Sequence, residues 1–106
     1  MRDIKIRGKL KKELRVVSNY PEYNEKLLDE YIQMLQRGEK LPEKVRDHKL
    51  SKSSSAEYKD CREFHLAPDL LVVYRLFDDK IELISIGKHN TLRLTSSLKF
   101  EGRVIS

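Results

Sequence analysis

Ile4 and Ile6 alternate with Lys5 and Arg7, and the two-residue rhythm stops at Gly8. This pattern predicts a short, half-buried strand. From Lys9 the period lengthens. Leu10, Leu14 and Val17 stand at i, i+4 and i+7, with Lys11, Lys12 and Arg15 on the remaining face, so an amphipathic helix follows. Asn19-Tyr20-Pro21 ends it, because the residue before a proline is pushed out of helical geometry. A second helix is predicted from about Asn24, a good cap, through Leu27, Leu28, Tyr31, Ile32 and Leu35 to Gly38.

Three strands are predicted after the helices, at roughly Asp60–Leu66, Leu70–Phe77 and Lys80–Ile86. Leu70 to Tyr74 is apolar at every position, as suits a central strand covered on both faces. Asp78-Asp79 supplies the turn after it. The order strand, helix, helix, strands predicts an α+β fold: a mainly antiparallel four-stranded sheet with the two-helix hairpin packed on one face. A chain of 106 residues suits one domain, residues 1–106. Ser51 to Ser55 reads as a polar loop. The tail 95–106 carries a weaker pattern (Leu98, Phe100, Val104) that would add an edge strand.

Charge changes this picture at one end. Between Arg2 and Arg15 there are seven basic residues against Asp3 and Glu13, a surplus equal to the formal net charge of +5. A basic face of this kind attracts RNA or an acidic protein, although a solvated helix face would look the same. One cysteine, Cys61, cannot form an internal disulfide and reads best as a small buried hydrophobe. Met1-Arg2-Asp3 is polar and no apolar leader follows it, and no apolar run is long enough to span a bilayer. A cytoplasmic protein without membrane contact is expected.

The stretch "REFHLAPDLLVVYRL" sets His65 and Asp69 on either side of Pro68, where the apolar strand begins. A sheet does not need titratable groups at that corner. The other histidines are His48, in "RDHKL", and His89, two residues after Gly87 at the end of the last strand. Residues at strand ends can converge on one cleft from distant points in the chain. Metal binding has weak support, since no His pair stands at helical spacing and no Cys-x-x-Cys is present. A serine nucleophile lacks its Gly-x-Ser-x-Gly elbow. Metal-free acid–base chemistry fits better. Cleaving RNA takes a base for the 2′-OH, an acid for the leaving 5′-oxygen and a cation for the phosphate, and imidazole titrates in the right range for the first two.

Taken together, "DHKL", "CREFHLAPDLLVVYRL" and "IGKHNTL" resemble the YafQ branch of the RelE-type toxins of bacterial toxin–antitoxin systems, over about Ile4 to Leu92. The resemblance implies a ribosome-dependent endoribonuclease that cuts mRNA by 2′-OH attack on the adjacent phosphate, without metal or other cofactor. It implies catalytic roles for His48, His65, Asp69 and His89, with base and acid shared between His48 and His89. Glu63, Lys49, Arg62, Lys88 and Arg93 are then expected to contact RNA. The implied partners are mRNA on the 70S ribosome and a cognate antitoxin of RelB or DinJ type that wraps the toxin, its C-terminal part on the basic first helix. The sequence departs from the family where a tryptophan often follows the corner aspartate (here Leu70) and where an aromatic residue often follows the last histidine (here Arg93). Two other classes compete: a non-catalytic binding module on the same fold, gyrase-directed or degenerate, and a metal-dependent hydrolase.

Overall fold

The computed structural model describes residues 1–50 and 60–88. The elements are β1 (Asp3–Ile6), α1 (Gly8–Val17), α2 (Glu25–Gln36), a 3₁₀ turn at Glu43–Val45, β2 (His48–Lys49), β3 (Arg62–Ala67), β4 (Leu70–Leu76) and β5 (Lys80–Lys88). The strands form one mixed sheet in the order β1-β5-β4-β3-β2. β1 runs parallel to β5, and the other three pairings are antiparallel. The α+β expectation holds, with two differences. The fifth strand is the two-residue β2, in a stretch with no periodicity to betray it, and the tail 95–106 lies outside the described residues. The predicted first strand forms, but Ile4 and Ile6 stay 42% and 39% exposed.

The helices follow from their apolar stripes. Leu28, Tyr31, Ile32 and Leu35 of α2 and Leu10 and Val17 of α1 are buried against one face of the sheet. Asn24 caps α2 by accepting a 3.0 Å bond from the Leu27 N–H. At the other end Gly38 adopts φ +79°, which glycine reaches without steric cost. The Gly38 and Glu39 amides then donate back to Leu35 O and Met34 O, a Schellman closure. Arg2 clamps this end: its guanidinium donates to Leu35 O at 2.9 Å and to Phe77 O at 2.6 Å.

Phe64, Leu66, Leu70, Val72, Tyr74, Ile81, Leu83 and Ile86 meet the helices. Leu71, Val73, Ile84 and Cys61 form a second cluster on the opposite face, with Leu50 against it. Along β5, Val73 faces Ser85 while Tyr74 faces Leu83, so Ile84 is the extra residue of a bulge. Glu13 of α1 fills the gap, accepting from Ser85 Oγ at 2.9 Å and from the Ile86 N–H at 3.0 Å.

Glu82 is buried between two arginines, accepting from Arg7 at 2.8 Å and from Arg75 at 3.0 Å. Burial pushes its pKa up, but the hydrogen bond and charge of Arg7, then those of Arg75, outweigh that and hold it below the usual carboxylate range.

Two measurements check this frame. Asn24→Ala is expected to lower the stability by about 1 kcal/mol, shifting the urea midpoint with no change in m. For Glu82 the folded pKa is the depressed one, so its contribution is present at neutral pH and lost as pH falls through the acid range, below about pH 4. The urea midpoint of Glu82→Gln should therefore fall less steeply there than that of the parent.

Candidate active site

The 3₁₀ turn ends at Arg46, whose φ of 53° is left-handed. That turn brings the Arg46 carbonyl oxygen to 2.7 Å from His48 Nδ1. A carbonyl can only accept, so this nitrogen carries the proton and the ring's orientation is set. Nε2 on the other side lies 3.0 Å from Glu63 Oε1, and the Glu63 side chain is only 3% exposed. His48 itself is about half exposed. The imidazole is gripped from within the protein and still reaches the surface.

Register explains the meeting. β2 pairs with β3 through His48↔Glu63 and Lys49↔Arg62. Side chains alternate along β3, so Cys61, Glu63 and His65 look away from the helices while Phe64 and Leu66 look toward them. His65 sits two residues beyond Glu63, opposite Leu71. His48, Glu63 and His65 thus share one face of the sheet.

A two-residue turn, Pro68-Asp69, then joins β3 to β4, with Ala67 opposite Leu70 and a slip in register after His65. Asp69 is 55% exposed, and its Oδ2 lies 3.6 Å from Lys88 Nζ. Lys88 is also held at 2.5 Å by Glu22 and sits over the Tyr20 ring at 4.5 Å. The Glu22 hydrogen bond raises the Lys88 pKa and lowers that of Glu22. A cleft of about 280 Å³ opens beside the corner, bordered by Tyr31, Lys44, Arg46, His65, Ala67 and Pro68.

Asp47, Arg62 and Tyr74 join on the helix side of the sheet. Arg62 forks onto Asp47 at 3.2 and 3.4 Å and reaches the Tyr74 hydroxyl at 3.3 Å. That hydroxyl donates to Asp47 Oδ1 at 2.6 Å. Burial, then the Asp47 carboxylate, pushes the Tyr74 pKa far above the usual phenol range, so the group stays a neutral donor. Burial works against the charge of Arg62, but Asp47 and Tyr74 more than compensate and its pKa rises.

Of the residues singled out from sequence, the structure therefore brings His48, Glu63 and His65 onto one face and Asp69 to the adjoining turn. Lys49 is exposed on β2 beside them. Arg62 and Lys88, expected to contact RNA, already hold carboxylates of the protein. His89 and Arg93 lie outside the described residues. Asp47, Tyr74 and the Arg46 carbonyl were not singled out. The signal for Tyr74 was present: a hydroxyl inside a fully apolar strand must find a partner. Among the described residues no group of three or more His, Cys, Asp and Glu side chains is placed to hold a metal ion.

Comparison with known proteins places this geometry. No curated protein matches the chain. A metal-bound toxin from Helicobacter pylori superposes with a TM-score of 0.73 at 32% identity, covering 87% of this chain and 99% of that one. A copper-bound L66S mutant toxin from the same organism gives a TM-score of 0.73 at 28% identity over the same shares. The YafQ toxin in an Escherichia coli DinJ–YafQ complex gives 0.72 at 26% identity, covering 87% of this chain and 98% of that one. The family model described as the bacterial toxin of type II toxin–antitoxin systems, YafQ, matches residues 2–94. With a RelE-like sheet, a histidine-bearing face and a match over nearly its whole length, the chain belongs to the YafQ family of type II toxins.

Proposed function

We propose that this toxin is a ribosome-dependent mRNA endoribonuclease that works by histidine acid–base catalysis. The observation that carries the reading is the gripped imidazole of His48, with Nδ1 on the Arg46 carbonyl, Nε2 on Glu63, and His65 on the same face. Nδ1 is committed to the backbone, so proton exchange with a substrate falls to Nε2, which turns from the Glu63 carboxylate to the substrate oxygen to make it. The base removes the proton of a ribose 2′-OH. The oxygen attacks the adjacent phosphorus, the P–O5′ bond breaks, and the departing 5′-oxygen takes a proton from the acid. A 2′,3′-cyclic phosphate and a 5′-hydroxyl result. His48 and His89 divide the base and acid roles. His65 and Asp69 orient the RNA and tune the neighbouring proton transfers.

Family membership also supports a protein partner. The E. coli relative was crystallised as a DinJ–YafQ complex, and we extend that pairing to a cognate antitoxin of the same kind. Lys5, Lys11, Lys12 and Arg15 are exposed on β1 and α1. They form a basic surface complementary to an acidic segment that orders on binding.

Brief induction of the chain in bacteria, followed by mapping of mRNA 5′ ends, checks both substrate and mechanism. New ends confined to translated frames are expected, together with growth arrest. His48→Ala or His89→Ala should reduce cleavage about 10²–10⁴-fold, the usual range for losing a general acid or base. A double alanine variant as toxic as the parent would overturn the assignment.

A further inference from the structure

The two-residue β2 cannot hold itself. It pairs with β3 at two positions, extended by one bond from the Leu50 N–H to Cys61 O, and two residues before it Arg46 is held in the left-handed region that side chains other than glycine enter at a cost of about 1–2 kcal/mol. Yet this strand carries His48, whose alignment the proposed chemistry needs. Something outside the strand must fix it.

The residues on either side of the sheet supply the means. Asp47 and His48 are consecutive, and their side chains go to opposite faces. His48 meets Glu63 on the outer face. Asp47 turns to the helix side and is held by the Arg62 fork and the Tyr74 hydroxyl. These contacts tie three elements: the loop entering β2, β3 and the buried centre of β4. Tyr74 is fully buried and packs edge-on against Phe64, 5.9 Å between ring centres, so its hydroxyl is a fixed point rather than a mobile one. Arg62 and Tyr74 are also cross-strand partners, which sets their spacing through the backbone.

We propose that Asp47, Arg62 and Tyr74 act as a positioning unit that sets the orientation of the His48 imidazole without touching RNA. The catalytic half of this rests on the nuclease reading above. The structural half, control of the His48 ring, does not. Arg62 is then a positioning residue, and what matters is its planar fork, not its charge alone. Removing any member takes a hydrogen-bond partner from the other two, so the loop that presents the Arg46 carbonyl relaxes with it. A misplacement of a catalytic group by as little as 1 Å can cost about 10²-fold in rate.

The test uses the full-length toxin, freed from its antitoxin, with Tyr74→Phe, Arg62→Lys and, as a control, Leu28→Ala. Leu28 lies in α2 within the helix-side core and contributes nothing to the unit, so this variant reports general destabilisation. Two readouts are taken on each: the ring nitrogen and carbon-bound proton resonances of His48, and kcat and KM for mRNA on programmed ribosomes. Tyr74→Phe and Arg62→Lys are expected to shift the His48 resonances and to lower kcat by about tenfold or more, with KM within about threefold of the parent. Leu28→Ala should leave both readouts near parental values at temperatures where it is folded. Parental His48 resonances and kcat in Arg62→Lys would overturn the proposal, as would an equal effect of Leu28→Ala. If the parent toxin cleaves nothing, the nuclease reading fails, and the His48 resonances alone decide the positioning claim.

Discussion

The hydroxyl of Tyr74 is the constraint on which the arrangement rests. β4 is buried from Leu70 to Tyr74 on both faces of the sheet. A strand apolar on both sides gains its stability from burial, but burial alone does not choose its register. Sliding it by one residue would exchange Leu71 and Val73 for Val72 and Tyr74, apolar for apolar, at little hydrophobic cost. A hydroxyl cannot be exchanged so freely. It has partners at one position only, Asp47 and Arg62, and anywhere else in that core it would be unsatisfied. Arg75, the next residue, adds a second fixed point through Glu82 on the neighbouring strand. Once β4 is locked, β3 inherits its register, and the meeting of His48 with Glu63 follows.

Charge is used in the same way elsewhere in the molecule. Two of the seven basic residues near the N-terminus are structural: Arg2 closes the end of α2, and Arg7 neutralises Glu82. The basic excess of that segment is therefore smaller at the surface than the sequence suggests. What remains exposed is concentrated on one side of α1 and on β1. Among the described residues β1 is paired on one side only, and an edge strand of that kind keeps its second row of backbone groups open. Lys5 in that strand is the kind of residue that discourages indiscriminate pairing there.

The elements with enough residues to show a period could be read from the chain. Both helices, the Asn24 cap and the three long strands fall within a few residues of where their periodicity and turn chemistry place them. β2 could not be read, because two residues have no period and the strand exists only through its partner. The half-burial expected of Ile4 and Ile6 fails for a related reason: alternation predicts which face is apolar, not whether anything covers it. At the site, residue types were legible and distances were not. His48, His65 and Asp69 stood out as titratable groups near strand ends. That Glu63 would sit under His48, and that Arg62 would be occupied by Asp47, depends on register across strands far apart in sequence.

Register also decides which cations are available to a phosphate under the nuclease reading. An arginine already forked onto a partly buried carboxylate can turn to RNA only by giving up that fork and its bond to a buried phenol. Arg62 stands in that position, and Lys88 likewise would have to give up its contacts with Glu22 and Asp69. Lys44, Arg46 and Lys49 stand exposed around the cleft and the His48 strand. Binding through them asks for no rearrangement of the core. Under the nuclease reading the burden of phosphate contact therefore shifts toward Lys44 and Arg46, in the loop between α2 and β2, and Lys49, the neighbour of His48 in β2.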